Sequence, residues 1–493
     1  MRRRIGAFVL AVVGMAFAGR LDAQQAEPSI DLTRRPQIFQ PLGSSIIESP
    51  GAPAQEGTSL VEPKNFWRAS AEVVAINTAV WGYNRLNDAF DVTEEGDSIY
   101  WSRISPATML KNLQRGWVWD DNAFINNQFA HPYHGSTYYN AGRSNGYSYW
   151  ESGAFTIAGS WLWEYLMETH PPAPNDWATT SLGGIALGEM LYRFSSLVLD
   201  NRATGSGRTW REIAVVPISP IRAVNRAISG QTGRVSENPA DWRTPLLRAR
   251  FDLGYRRVTD SIQIENEDFR ENFVVFGFEI DYGDPHDVDI ERPFDFFELR
   301  GDLVSNENKP LTSLFVTGML TRHDFRNTDR SDLRLGVMHR YTYLNSKFLE
   351  TGNQAFSADF MWRRHLGRSW QLRADLSLQG IVLGAISSEY ADVVGRTYDY
   401  GPGAGWGLQV TFEKARRQLV RLGYSTWYIH TVNGAEGEHF ASILSLQGIV
   451  PIFGPLGIGA EVGVVQRNSL YSSFEDTTRR TEYGRVFLSW ATR

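Results

Sequence analysis

From about Leu246 to the C terminus, large apolar residues recur at every second position, and no other feature of the chain restricts its fold as strongly. The stretch Asn272 to Gly283 shows the pattern. Val274, Phe276, Phe278, Ile280 and Tyr282 share one face, and Gly277, Glu279 and Asp281 share the other. The same alternation marks twelve strands, near 246–257, 272–283, 294–304, 311–323, 333–344, 355–365, 370–384, 405–413, 419–430, 438–450, 456–467 and 482–491. A soluble sandwich alternates in the same way, so the period alone does not say which face meets water.

Four features decide it. The polar faces carry charges of both signs: Arg248, Arg250 and Asp252; Glu279 and Asp281; Glu298, Arg300 and Asp302; Arg373 and Asp375; Arg421; and Glu461. Glycines such as Gly277, Gly457, Gly459 and Gly463 share those faces, a mixture that suits a crowded aqueous lumen whose charges pair with one another. The opposite faces, such as Leu372, Ala374, Leu376 and Leu378, stay apolar for the roughly 9–11 residues a tilted bilayer strand needs. Aromatics including Tyr255, Tyr341, Tyr343, Trp406 and Trp490 gather near strand ends, where headgroups would lie. Long and short connections alternate in the second half, beginning with a long one after the seventh strand.

A dozen such faces in water would far exceed the few hundred Å² of apolar patch that a soluble monomer shows. The expected fold is therefore membrane α+β: a helical domain over 65–235, then an antiparallel transmembrane β-barrel of about twelve strands over 246–493. Twelve strands about 4.8 Å apart and tilted near 40° give a backbone diameter of about 24 Å. Such a lumen holds about one helix or a narrow channel. The helical half is accordingly expected to cap the periplasmic mouth or to plug the barrel.

The first 23 residues read as a cleaved signal peptide, with Arg2, Arg3 and Arg4, an apolar core from Ile5 to Ala18, and Leu21-Asp22-Ala23 before the cut. Its removal takes away four Arg and one Asp and moves the formal charge from −6 to −9. An acidic exported chain is a poor partner for nucleic acid. Residues 24–64, rich in Pro, Gln, Ser and Gly, read as a disordered linker. With no cysteine, a disulfide, a thiolate nucleophile or a Cys-based zinc site is impossible. The expected location is the cell outer membrane, with outer-membrane lipid and, during biogenesis, the barrel-assembly machinery as partners.

Between Asn65 and Gly230 the period is helical. Helices are expected over 66–86, 105–116, 151–170, 176–200 and 219–229, with Ser105-Pro106 and Asn175-Asp176 at starts. Trp177 to Leu199 is long and apolar, but Glu189 and Arg193 make it a buried helix rather than a membrane span. One turn apart, those two side chains can satisfy each other. Gly184 and Gly188 have the small-xxx-small spacing that lets helices approach closely.

Trp117 to Gly146, between those helices, reads as a loop and holds the densest polar constellation, including Asp120, Asp121, His131, His134, Tyr138 and Arg143. Its two imidazoles, with Glu164, Glu168, Asp176 and Glu189, supply the residue types of a metal site or a His-carboxylate acid/base pair. The spacing is not that of a zinc-hydrolase helix, and no metal or cofactor is expected. Gly142-Arg143-Ser144-Asn145-Gly146 matches the letters of a nucleophile elbow without the strand and helix that motif needs, so a Gly-rich turn is expected there. His339, on the lipid-facing register, reads as an interfacial residue near the aromatic girdle.

The segments "NTAVWGYNR", "NQFAHPYHGSTYYNAGRSNG" and "SWLWEYLMETHPPAPNDWATTSLGGIALGEMLYR" together resemble the bacterial domain of unknown function 3943, over about residues 65 to 230. This chain departs from the family pattern at "APND", where a Ser is expected before the acidic residue. The resemblance implies an exported envelope protein and no established activity. Two functions are open: a gated pore or envelope scaffold, or a lipid or glycolipid hydrolase working through His131, His134 and Glu164.

Overall fold

The computed structural model of the protein describes residues 63–87, 91–92, 98–121, 123–239, 242, 246–260, 269–305, 310–346 and 348–492. The signal peptide and nearly all of the linker lie outside those residues.

The C-terminal part is a closed barrel of twelve antiparallel strands. They are β1 (Leu247–Asp260), β2 (Phe269–Tyr282), β3 (Phe297–Val304), β4 (Leu311–Thr328), β5 (Ser331–Asn345) and β6 (Glu350–His365), followed by β7 (Trp370–Ser387), β8 (Tyr398–Lys414), β9 (Arg417–His430), β10 (Gly437–Phe453), β11 (Leu456–Tyr471) and β12 (Thr477–Ala491). Each pairs with its neighbours in sequence, and β12 closes on β1 from Thr481 opposite Asp260 to Ala491 opposite Arg250. Closure leaves no free edge. At the end holding both barrel termini, four connections are tight; one, at Ala415 and Arg416, places two residues in the left-handed region. The other end carries the longer loops, including 388–397 and 431–436.

Strand ends extend beyond the alternation at several places. The long connection expected after the seventh strand shrinks to 388–397, because Tyr398 to Gly401 continue β8. Side chains sort as the alternation requires. Arg340 and Thr342 of β5 line the interior, while Tyr341 and Tyr343 turn outward.

Among the described residues before the barrel are eight α-helices: α1 (Phe66–Leu86), α2 (Pro106–Gln114), α3 (His131–Ser144), α4 (Tyr149–Leu162), α5 (Pro174–Ala178), α6 (Gly184–Val198), α7 (Gly205–Ile218) and α8 (Pro220–Ile228). Local chemistry sets their starts. The Asn65 side chain caps α1 by accepting from the Arg68 N–H, and Ser105–Thr108 and Ser148–Glu151 form capping boxes on α2 and α4. The segment read as a polar loop is the centre of the bundle: a π-helical turn, Asn126–Ala130, runs directly into α3. Its Gly, Ser and Asn residues hide a helix whose buried face is small and polar rather than aliphatic. Gly135 of α3 meets Thr180 and Gly184, so closely that a Cβ on Gly135 would stand 1.9 Å from the Thr180 carbonyl oxygen. The Gly184 and Gly188 spacing serves this contact with α3.

The bundle neither caps a mouth nor plugs the lumen. It packs on the outside of the wall, from β2 across to β8. The Tyr149 hydroxyl meets His339 Nδ1 at 2.8 Å, the Tyr341 hydroxyl donates to the Gln128 carbonyl at 2.5 Å, and Asn127 Nδ2 donates to the Tyr400 hydroxyl at 3.0 Å. All three barrel residues face outward. α6 follows the wall from Gln354, beside Gly183, down to Phe297, whose ring lies 5.2 Å from that of Phe194. One apolar core joins the layers, with Phe124, Leu187 and Met190 against Ile280, Leu299, Val316 and Tyr343. This packing, together with the three hydrogen bonds to His339, Tyr341 and Tyr400, holds the bundle in place.

Two expectations are corrected here. Phe278, Ile280 and Tyr282 turn out of the lumen but lie under the bundle, while Val274 of the same strand remains exposed. His339 is buried beneath the helices, not at an open interface, because Tyr149 and Phe294 cover it.

Candidate functional site

The lumen is a cavity of about 550 Å³ lined by all twelve charged residues of the polar faces, from Arg248 to Glu461. Nearly every charge sits against an opposite one. Glu279 of β2 receives Arg250 at 2.7 Å and, across the barrel, Arg421 of β9 at 2.8 Å. Arg485 meets Asp302 at 3.1 Å, Glu461 at 3.2 Å and Asp252 at 3.5 Å, and Arg248 meets Asp281 at 3.2 Å. Arg300 pairs with Glu298 and reaches across to Gln409 at 2.9 Å. Arg373 and Asp375 lie one register step apart on β7 and complete the lining. Glu279, Asp281 and Glu298 come close enough to suggest a cation site, but the guanidinium groups of Arg250, Arg421, Arg248 and Arg300 already neutralise them.

A stopper-like segment occupies part of the terminal mouth. The connection between β2 and β3 folds inward, so that Arg334 donates to the Pro285 carbonyl at 2.8 Å, Arg363 binds Asp287 at 2.7 Å and Arg373 reaches Asp284 at 3.4 Å. Val288 and Phe296 pack on the lumenal methionines Met319, Met338 and Met361. The same connection then passes outward beside the short strand β3, where Phe294 takes a positive φ of 66° and lays its ring over Gly318. A bulky residue holds that conformation only when its surroundings fix it. Here Tyr149 and Phe297 do so, and Arg193 of α6 grips the segment through Asp295 at 2.9 Å and the Pro293 carbonyl at 2.8 Å.

The second candidate lies in the bundle near the loop end of the barrel. His131 meets Thr180 Oγ1 at 3.1 Å and Asp176 at 3.8 Å, and His134 Nε2 meets the Tyr138 hydroxyl at 2.9 Å. Glu164 accepts from the Ala173 N–H at 2.9 Å, while Asn175 joins Asp176 to the Asp120 backbone. Asp120 and Glu164 are near enough to act electrostatically on Asp176. Burial pushes the His131 imidazole down to about 4 and His134 to about 3. Burial likewise raises Glu164 to about 8 and lifts Asp176 well above the carboxylate range, with Asp120 adding to both shifts. Burial thus favours the uncharged form of both imidazoles and of both carboxyls.

Three π-helical turns meet at this cluster: Asn126–Ala130 before His131, Trp163–Met167 holding Glu164, and Thr179–Gly183 holding Thr180. Such turns concentrate at functional sites. Asp120 and Tyr138 stand in the polar constellation already marked in the sequence, and Thr180 is the partner that sequence reasoning passed over. The i+4 spacing of Tyr138 from His134 is the one legible signal of a pairing within the constellation.

Glu189 does not join the cluster. It lies further along α6 and accepts from Arg143, Arg193 and Tyr139, each at 2.8 Å. Ser144 ends α3 instead of following a strand, so the elbow-like letters form a helix terminus with Gly146 in the turn at φ 82°.

The family model described as Domain of unknown function (DUF3943) matches residues 116–221, narrower than the span of the resemblance and centred on the bundle. No curated protein matches the chain. Among solved structures, the outer membrane channel DcaP of Acinetobacter baumannii is 7% identical over 50% of this chain and 96% of its own, with a TM-score of 0.25. An outer membrane channel from Pseudomonas putida F1 is 11% identical over 52% of this chain and 100% of its own, and the NanC porin is 9% identical over 48% and 98%, both with a TM-score of 0.25. Likeness at this level carries no inference about this chain.

Proposed function

We propose that the protein is a gated outer-membrane channel, described here in its closed state. The carrying observation is the charge-lined lumen with the connection between β2 and β3 folded into one of its mouths. A paired Arg–carboxylate lattice sets which ions or polar solutes pass, and the stopper sets when they pass. This reading takes the chain to the outer membrane by a cleaved leader and through the barrel-assembly machinery. Replacement of residues 284–290 by a Gly/Ser sequence of equal length is expected to turn rare openings in planar bilayers into sustained current, a rise of about tenfold or more, since the Arg and Met contacts that hold the stopper are lost. Silence from both forms would defeat the channel.

A second reading, an enzyme acting on lipid or glycolipid, is favoured by the π-turn cluster, which holds an acid and a neutral base within one site. Glu164→Gln keeps the acceptor for the Ala173 N–H and removes the titrating proton. Under this reading the outer-membrane lipids of cells carrying that variant differ by mass spectrometry from those of cells carrying the unsubstituted chain. Identical profiles would exclude it.

A further inference from the structure

We infer that the helical bundle is itself embedded in the bilayer beside the barrel, with lipid acyl chains against the outer faces of α1 and α4. The inference rests on the barrel being a membrane barrel, but not on its conducting.

The first observation is height. α4 starts at Tyr149, bound to His339 partway along β5, and ends beside the turn that precedes α3, since Trp163 packs on His134 at 5.1 Å. That preceding turn is fixed to the wall through Gln128–Tyr341 and Asn127–Tyr400. α4 therefore lies level with the wall it flanks. α1 runs alongside it, joined by Asn77 Nδ2 to the Gly159 carbonyl at 3.3 Å and by the rings of Phe66 and Phe155 at 6.0 Å.

The second observation is the composition of the outer faces. On α1 the exposed stripe is Trp67, Ala71, Val74, Ala75, Thr78 and Ala79, and on α4 it is Trp150, Ala154, Ile157, Ala158 and Trp161. Neither stripe has a charge along its length; the outer charges of these helices lie at their ends, Arg85 in the last turn of α1 and Glu151 in the first turn of α4, paired with Lys64 at 2.6 Å. Trp67 is 79% exposed and Trp150 63%. Two of the three charges of α1 turn back into the bundle: Arg68 donates to the Asn225 carbonyl at 2.9 Å, and Glu72 accepts from Asn145 and Asn225; the third, Arg85, is exposed in the last turn. Deeper still, Glu164, Asp176, Glu189, Arg193 and Arg222 are buried. Ions inside and uncharged apolar surface outside is the distribution of a chain solvated by hydrocarbon, where polar groups must be satisfied within the protein.

Third, the stripes continue an interface already present. β7 and β8 pass from helix-covered wall at Ala385 and Tyr400 to open apolar wall at Leu378, Trp406 and Leu408 with no charged boundary between. No described helix is long and apolar enough to cross a membrane alone. The stripes meet lipid on one side only, with the bundle satisfying the other.

Because the chain has no cysteine, single spin labels test this in the full-length protein, reconstituted in phosphatidylethanolamine/phosphatidylglycerol vesicles. Ala75→Cys and Ala158→Cys report on the stripes, Ala460→Cys on the bare barrel belt, and Asp392→Cys on an exposed loop. Labels at 75 and 158 are expected to match 460, with high oxygen access and access to a water-soluble nickel complex about tenfold or more below that at 392, as exclusion of a polar solute from hydrocarbon requires. Water-like access at 75 and 158 with lipid-like access at 460 would overturn the inference and leave the barrel reading intact. Water-like access at 460 as well would defeat the membrane reading itself. Low access to both reagents at 75 and 158 would mean that a second protein or copy covers the stripes, and would likewise overturn the inference.

Discussion

Glu189→Ala is expected to cost about 3–5 kcal/mol, because it strands two buried guanidinium groups at once. Glu189 is wholly inaccessible, and Arg143 and Arg193 both donate to it at 2.8 Å. Arg193 retains Asp295, whereas Arg143 keeps only the Tyr147 carbonyl at 2.9 Å and the ring of Tyr192. The measurement is the urea midpoint of the detergent-solubilised protein, followed by tryptophan fluorescence. A shift no larger than that of an exposed control would refute the expected loss.

Acid gives an independent check on the same group. Burial alone would raise the Glu189 carboxyl, but Arg143, Arg193 and Tyr139 together hold it below its ordinary value. A carboxyl lowered in the folded state contributes stability that is present above its unfolded value and lost as pH falls through its folded value. The unsubstituted protein should therefore lose this contribution below about pH 4, while Glu189→Gln, having no proton to take up there, should lose nothing further from that site.

The second large effect is steric. Gly135→Ala places a methyl 1.9 Å from the Thr180 carbonyl oxygen and 3.0 Å from the Gly184 Cα, both on rigid backbone. α3 and α6 must separate to admit it, at an expected cost of about 3 kcal/mol or more, and the Tyr139–Glu189 hydrogen bond separates with them. Gly82→Ala, on the exposed side of α1 with nothing within 4 Å, is the matched control. It should be neutral or stabilising by about 0.5–1 kcal/mol, since alanine is the better helix former. Equal urea midpoints for the two variants would contradict the close helix contact.

The barrel was legible because an apolar outer face and paired charge within impose a period of two. Legibility failed where the bundle covers the wall. Glu350 to Gln354 and Tyr398 to Gly401 belong to β6 and β8, yet they read as loop because their outer neighbours are Gln128, Gly183 and Asn127. For the same reason the outside position of the bundle left only a faint trace in sequence, namely tyrosines at outward positions whose hydroxyls find partners on the helices. In the bundle, α3 was hidden because Gly135, Ser136 and Asn140 face a neighbouring backbone, which no aliphatic stripe records. α7 was hidden by Gly205, Gly207 and Pro217, all poor helix residues that tertiary packing tolerates. The residue types of the His-carboxylate cluster were plain to read. Their convergence with Asp120 and Thr180 depends on three π-helical turns, for which spacing gives no signal, and the separation of Glu189 depends on its pairing with Arg143.

The core shared with the bundle runs from β2 to β8 and reaches Leu247, Ala249 and Phe251 at the start of β1, while among the described residues none of β9 to β12 joins it. The closing ladder, Thr481–Asp260 to Ala491–Arg250, therefore lies at the rim of the bundle's footprint, joining a strand that the shared core touches to one that it does not.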